Sequence, residues 1–323
     1  MKAIVCRSFD SPLEVDDVPP PEMSEADVRI DVEACGVNFV DGLIVTGKYQ
    51  LKPNLPYVPG FEVAGRVAQV GADVGAFAVG DRVFATTGLT GGGYAKQAVA
   101  HESQVFHLPD ALTAGQGATF VQSYCTALFA LESRITVKPD STLLVLGASG
   151  GVGRAALDVG RALGAKVIAA ASSDERLESC CELNLSGSIN YSREDLKMRA
   201  RELSDGGVDV VFDPLGGSYS GDALRALRDD GVLLIVGFAS GQIPQLPANH
   251  ILLRNRRVVG VDWGGWRTNQ PDLQTELMAR LTELVKAGKL SPREPAAYPL
   301  AQAAAVLSAV NGRGVVGKVA LVP

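Results

Sequence analysis

The chain has 323 residues, about twice the ~150 of a common domain, so two moderate domains are expected and a small disulfide-stapled fold is excluded. Hydrophobic residues make up 46% and charged residues 20% of it, and its 36 glycines follow no three-residue period, which excludes intrinsic disorder and collagen. Thirty basic against 36 acidic side chains give a net charge of −6 with no long basic run, so nucleic acid is not an expected partner.

The N-terminus, Met1-Lys2-Ala3-Ile4-Val5, turns polar by Arg7 and Asp10. It reads as a first strand and not as a signal peptide, and a cytoplasmic location is expected. Up to about Leu108, short alternating segments such as Val28-Arg29-Ile30-Asp31-Val32 and Asp81-Arg82-Val83-Phe84 are broken by Gly71, Gly75, Gly80 and the glycines at 91–93. This is the pattern of antiparallel sheet folded on itself. The uncharged stretch 111–131 is long enough to cross a bilayer but carries glycines, glutamines and threonines, so a buried helical segment is expected and no membrane partner.

From Leu143 onward, apolar strands at 143–146, 167–171, 208–212 and 232–236 alternate with helical segments such as 154–163, the pattern of a parallel sheet covered on both faces. After Gly260 come an amphipathic helix at 273–287, a second at 301–310 and a terminal strand at 315–322. The expected fold is α/β, a doubly wound parallel sheet inserted into a β-rich domain. Its expected domains are 1–119, 120–260 and a return to the first at 261–323. The cysteines Cys6, Cys35, Cys125, Cys180 and Cys181 form no C-x-x-C pair, and His101, His107 and His250 have no ligand spacing, so reduced thiols and no metal site are expected.

The strand 143–146 runs straight into Gly147-Ala148-Ser149-Gly150-Gly151-Val152-Gly153, and a helical pattern follows. Ala148, Gly150 and Gly153 fill the three slots of G-x-G-x-x-G. The middle glycine lets backbone approach a pyrophosphate, the last lets helix pack on strand, and the helix N-terminus offers free amides. The next strand ends in Ala171-Ser172-Ser173 without the carboxylate that would hold ribose hydroxyls, and Arg176 follows one turn later. Ser172 and Arg176 suit a 2′-phosphate, so NADPH is expected over NADH. Against this, Asp174 and Glu175 lie close by, and Ser173 is equally suited to cap the following helix while Arg176 faces solvent.

Several further strings stand out: Gly36-Val37-Asn38-Phe39-Val40-Asp41, Gly47-Lys48-Tyr49, Pro59-Gly60-Phe61-Glu62-Val63-Ala64-Gly65, Gly80-Asp81-Arg82-Val83, Asp213-Pro214-Leu215-Gly216-Gly217, Gly237-Phe238-Ala239-Ser240-Gly241 and Gly317-Lys318-Val319. With the glycine turn, they make the whole chain resemble the zinc-independent quinone oxidoreductase (zeta-crystallin-like) branch of the medium-chain dehydrogenase/reductase superfamily. The resemblance implies a GroES-like β-barrel catalytic domain and a Rossmann domain, with the cofactor in the cleft beside the latter. It puts Asn38 and Phe61 where zinc alcohol dehydrogenases carry a cysteine and a histidine, so no zinc is expected. It assigns Tyr191 and Arg176 to the 2′-phosphate of NADPH, Pro214, Leu215, Gly237, Phe238 and Ala239 to the surroundings of the nicotinamide, and Lys318 to the cofactor.

Asn38, Asp41 and Tyr49 are the polar residues expected near the acceptor or the nicotinamide ribose. Asn38 and Asp41 share one face of a short helical turn, and Tyr49 is the candidate acid, matching the G-x-Y tyrosine of related 2-enoyl thioester reductases. Tyr124 and Thr126 open the inserted domain as candidate nicotinamide contacts. Trp263 and Trp266 are candidates for an aromatic pocket wall, with core or subunit interface as the alternative. The implied activity is NADPH-dependent reduction of a quinone or another α,β-unsaturated carbonyl without a metal. An enoyl-thioester reductase and a binding protein with little turnover are the alternatives. A homodimer is expected, joined along the segment Val258-Val259-Gly260-Val261.

Overall fold

The computed structural model describes residues 1–323 apart from Leu51, Leu89, Thr90 and Arg313. The chain divides into two compact units, residues 1–122 with 292–323, and residues 123–291.

Among the described residues, the larger sheet of the first unit runs from edge to edge as Ala296–Pro299, Val319–Val322, Asp27–Val37, Glu62–Val70, Arg82–Thr86 and Val105–His107, with Gln97–His101 paired to Asp27–Val37 as well. One strand thus carries three partners. It can because Asp27–Val37 is 11 residues long and its pairing with Glu62–Val70 shifts register twice, at Arg29/Ile30 and Val32/Ala34. Each irregularity bends a strand and increases its twist, which lets an antiparallel sheet curl around its own core. That core is filled by Ile30, Val63, Val83 and Tyr94 among others, from alternating positions that point inward. A curled, mainly antiparallel sheet of this order fits the GroES-like barrel that the resemblance implies.

The second unit is built on a six-stranded parallel sheet in the order Gly187–Asn190, Lys166–Ala171, Thr142–Leu146, Val208–Asp213, Leu227–Ile235 and Arg257–Gly260. Leu143, Leu144, Val145 and Leu146 are all at 0% exposure, as continuous apolar strands under helices on both faces must be. The strand order reverses beside Thr142–Leu146, and such a switch point opens a crevice at the carboxyl ends of the strands. The glycine turn follows that strand directly. Arg257–Gly260, in the segment expected to join two copies, is an edge strand.

The domain boundaries depart from the expected ones. Residues 261–291 pack with the second unit and not with the first: the helix Pro271–Lys286 buries Leu277, Met278, Leu281, Leu284 and Val285, and Met278 Sδ meets Cys125 Sγ at 3.2 Å. Helical periodicity reveals that a face is buried but not against which partner. The chain rejoins the first unit at Pro292, whose carbonyl accepts from Gln116 Nε2 at 2.7 Å, and Thr113 Oγ1 donates to Glu294 Oε2 at 2.6 Å. The stretch 111–131 divides into the helices Ala114–Gly117 and Val121–Leu128 and the start of a π-helix, Phe129–Arg134. No helix of the described residues is long and apolar enough to cross a membrane.

Candidate active site

The glycine turn is shaped by contacts that differ from one glycine to the next. Gly147 has φ +56°, a left-handed conformation that glycine adopts without strain. The turn is then pinned, Ala148 N to Ala170 O at 3.0 Å and Gly150 N to Gly147 O at 2.9 Å. A Cβ on Gly153 would lie 2.3 Å from Gly147 O, whereas one on Gly150 would meet only Gly147 O, at 3.3 Å. Gly153 therefore serves helix-to-turn packing, and Gly150 keeps clear the space over the helix Gly151–Ala162, which it caps. The first turn, Gly151, Val152 and Gly153, presents amides with no intrahelical acceptor and the positive end of the helix dipole, a combination suited to a pyrophosphate.

At the end of the neighbouring strand, Lys166–Ala171, residues 172–176 combine a helix cap with a side-chain contact to the glycine turn. Ser173 caps the helix Asp174–Glu178 by accepting from Arg176 N at 3.3 Å. The Arg176 guanidinium is nevertheless not left to solvent, since Nη1 reaches Ser149 Oγ in the glycine turn at 3.3 Å. Tyr191 N donates to Ala171 O at 3.1 Å, and its ring packs on Tyr219 with centroids 4.7 Å apart. Ser149, Ser172, Arg176 and Tyr191 are thereby gathered at one end of the sheet, with no carboxylate at the strand tip itself.

Two further loops at this end are laced together. Pro214 O accepts from Ala239 N at 3.0 Å, Leu215 O from Ser240 N at 2.8 Å, and Gly217 N donates to Gln242 O at 2.9 Å. Asp213, at 0% exposure, organises the first loop: its Oδ1 accepts from Leu215 N at 2.9 Å and Gly216 N at 3.0 Å, and Ser220 Oγ bonds Oδ2. Burial pushes its carboxyl above the usual range. Gly237 and the partly exposed Phe238 precede the Ala239 contact, so backbone hydrogen bonds tie residues 214–217 to 239–242.

Other expected residues of this unit are used differently. Tyr124 is buried, and its hydroxyl donates to Asp158 Oδ2 at 2.9 Å, a carboxylate that also accepts from Ser291 N at 2.7 Å and Arg161 Nη2 at 2.9 Å. Burial raises that phenol well above its ordinary pKa; the hydroxyl expected near the nicotinamide is committed inside its own unit. Thr126 lies half-buried in the same helix. Trp263 is a core residue and not a pocket wall, because its ring is buried and Nε1 donates to Gln274 Oε1 at 2.8 Å. Trp266 stacks at 4.6 Å on Phe129.

The first unit holds a buried polar cluster. Asn38 precedes the helix Phe39–Val45, and its backbone N–H donates to Asp41 Oδ2 at 2.7 Å. Its amide Nδ2 donates to Glu62 Oε2 at 3.0 Å, and its Oδ1 accepts from Lys318 Nζ. Lys318, assigned to the cofactor by resemblance, thus has Asn38 and Glu62 as partners, its Nζ lying 3.8 Å from Glu62 Oε2. Glu62 Oε1 accepts from Gln122 N at 2.8 Å. Asp41 also accepts from Tyr94 Oη at 3.0 Å, while its Oδ1 is buried without a hydrogen-bond partner among the described residues. Tyr49 follows the helix, half-buried, with its N–H on Leu43 O at 3.1 Å.

Glu62, Tyr94 and Asp213 were not among the expected site residues. Glu62 had a signal, a carboxylate inside the apolar strand Glu62–Val70, where a charge persists only if partnered. Tyr94 had none, because its partner Asp41 is 53 residues away.

Burial lifts the Asp41 carboxyl to about 7, against the opposing pull of the Asn38 N–H, the Tyr94 hydroxyl and the Lys318 ammonium. The folded protein therefore keeps a proton that the unfolded chain releases near pH ~4. Its stabilising contribution is complete below about pH 4, is lost as the pH rises to about 7 and changes no further above that. Asp41→Asn is expected to flatten the fall in stability between these limits, read as urea midpoints across pH. Equal slopes for both proteins contradict the assignment.

Comparison with known proteins places these features in context. Residues 24–110 match the family model of the alcohol dehydrogenase GroES-like domain, and residues 151–283 that of the zinc-binding dehydrogenase. The chain is 37% identical over 324 residues to quinone oxidoreductase-like protein 2 homolog of Nematostella vectensis, across 99% of this chain and 88% of that protein. Among solved structures, quinone oxidoreductase of Thermus thermophilus, described with its NADPH complex, is 31% identical with a TM-score of 0.87, each chain fully covered. Quinone oxidoreductase of Escherichia coli complexed with NADPH is 27% identical with a TM-score of 0.89, again over 100% of both chains.

Proposed function

Because the chain belongs to the zinc-independent quinone oxidoreductase branch of the medium-chain dehydrogenase/reductase superfamily, we propose that it is an NADPH-dependent reductase of quinones or other α,β-unsaturated carbonyls. The observation that carries this reading is the pairing of an open glycine cradle at Gly150 with the Arg176 guanidinium on Ser149, beside a strand tip without a carboxylate. These residues fit a dinucleotide with a 2′-phosphate: amides of residues 151–153 for the pyrophosphate, Arg176, Ser149 and Ser172 for the phosphate, and Tyr191 beside the adenosine. The backbone of residues 214–217 and 237–239 would orient the carboxamide.

When bound, NADPH supplies a hydride to an electron-poor acceptor. The chain's own task is to hold the reacting atoms near one another, exclude water and place donors at the oxygen where negative charge grows. Asn38 is fixed in orientation by Glu62 and Lys318, and Tyr49 carries a hydroxyl suited to give a proton. A zinc ion does not fit. The two positions that resemble zinc-ligand positions hold an amide already committed to its neighbours and Phe61, a buried hydrocarbon ring with no donor atom.

Arg176→Ala is expected to weaken NADPH binding by about tenfold or more, the worth of one charge-assisted contact, and to leave NADH nearly unchanged. Titration of nucleotide fluorescence measures both constants. Equal losses for the two nucleotides contradict the phosphate assignment.

A further inference from the structure

The tip of the strand Lys166–Ala171 lacks the acid that would hold ribose hydroxyls, yet a carboxylate stands three residues beyond Ala171, at Asp174. It opens the short helix that also carries Arg176. A free anion there opposes a phosphate of charge about −2 and offers hydroxyls an acceptor, both of which favour NADH.

Both oxygens of Asp174 are engaged from the adjoining strand and its loop. Asn190 Nδ2 donates to Oδ1 at 2.6 Å, and Arg193 Nη1 to Oδ2 at 2.6 Å. Asn190 is only 4% exposed and stands in register with Ala171. Its own Oδ1 accepts from Ser192 N at 3.2 Å and its backbone N–H is held by Glu194 Oε1 at 2.7 Å, so the amide that reaches Asp174 is fixed in direction. Ser192 Oγ on Ser172 O at 2.8 Å fastens the same loop to the strand tip.

We propose that Asn190 and Arg193 determine cofactor selectivity as positioning residues, by holding and neutralising Asp174 so that the site reads as one without an acid. The proposal rests on the NADPH reading above. The Arg193 and Asp174 side chains are 73% and 65% exposed, so the pair adds little to stability. Its consequence is felt when a dianionic group is brought beside it.

The test is a cycle of Arg193→Ala, Asp174→Asn and the double variant, with dissociation constants for NADPH and NADH from nucleotide fluorescence. Arg193→Ala is expected to lower the NADPH-over-NADH preference about fivefold, the effect of unmasking one exposed charge. Asp174→Asn keeps the preference at or above that of the unaltered protein, and the double variant restores it. An unchanged preference in Arg193→Ala overturns the proposal. So does a loss that persists in the double variant, because Arg193 then acts on the phosphate directly. An unaltered protein that does not prefer NADPH overturns the underlying reading together with this proposal, which separates the two failures.

Discussion

Lys318→Met is expected to destabilise the protein by about 3 kcal/mol, because it leaves the Glu62 carboxylate buried without its cation. Glu62 is 1% exposed and the Lys318 side chain 16%, so the carboxylate has almost no access to bulk water once the ammonium is removed. The hydrogen bonds from Gln122 N and Asn38 Nδ2 remain in the variant and keep the loss below that of a bare buried ion. Glu62→Gln combined with Lys318→Met removes the uncompensated charge and is expected to recover much of the stability. Urea unfolding of the two variants decides it. A single variant within about 0.5 kcal/mol of the parent, the scatter of ordinary surface substitutions, contradicts a structural role for the pair.

Gly150→Ala and Gly153→Ala are expected to fail in different ways although they lie three residues apart. At Gly153 the added methyl collides with the Gly147 carbonyl at 2.3 Å, a backbone atom that cannot swing aside, so a loss of about 3 kcal/mol or a failure to fold follows. At Gly150 the backbone φ is −77°, which alanine adopts freely, and only one contact is tight. Folding should cost less than about 1 kcal/mol there. The methyl instead occupies the space through which a pyrophosphate meets the helix amides. Loss of one charge-assisted hydrogen bond of about 2 kcal/mol weakens NADPH about 30-fold. Thermal unfolding without nucleotide and nucleotide titration separate the two effects. Equal destabilisation by both alanines contradicts the division of labour.

What was legible in the sequence was local. The turn at 147–153 combines glycine spacing with an apolar strand before it and a helix after it, and the structure sets Gly153 tightly against the Gly147 carbonyl while Gly150 stays nearly clear of it. The Ser173 cap was legible and is present, whereas the side chain of Arg176, which that reading turned to solvent, reaches Ser149 instead. What stayed hidden depends on partners distant in the chain. Lys318 meets Asn38 across 280 positions, and no periodicity in either segment predicts that pairing. Tyr124 was expected at the nicotinamide, and the indole of Trp263 was open to a pocket or a core role; the buried partners Asp158 and Gln274 engage both side chains inside the second unit. The boundary of the second unit was misplaced because an amphipathic helix shows its apolar face without showing which unit covers it.

The most direct measurement is steady-state oxidation of NADPH by the purified protein with a panel of quinones and enones, followed at 340 nm with a metal chelator present. The account predicts turnover that the chelator leaves unchanged and that NADH supports less well. No turnover with any acceptor in the panel, or turnover abolished by the chelator, contradicts it.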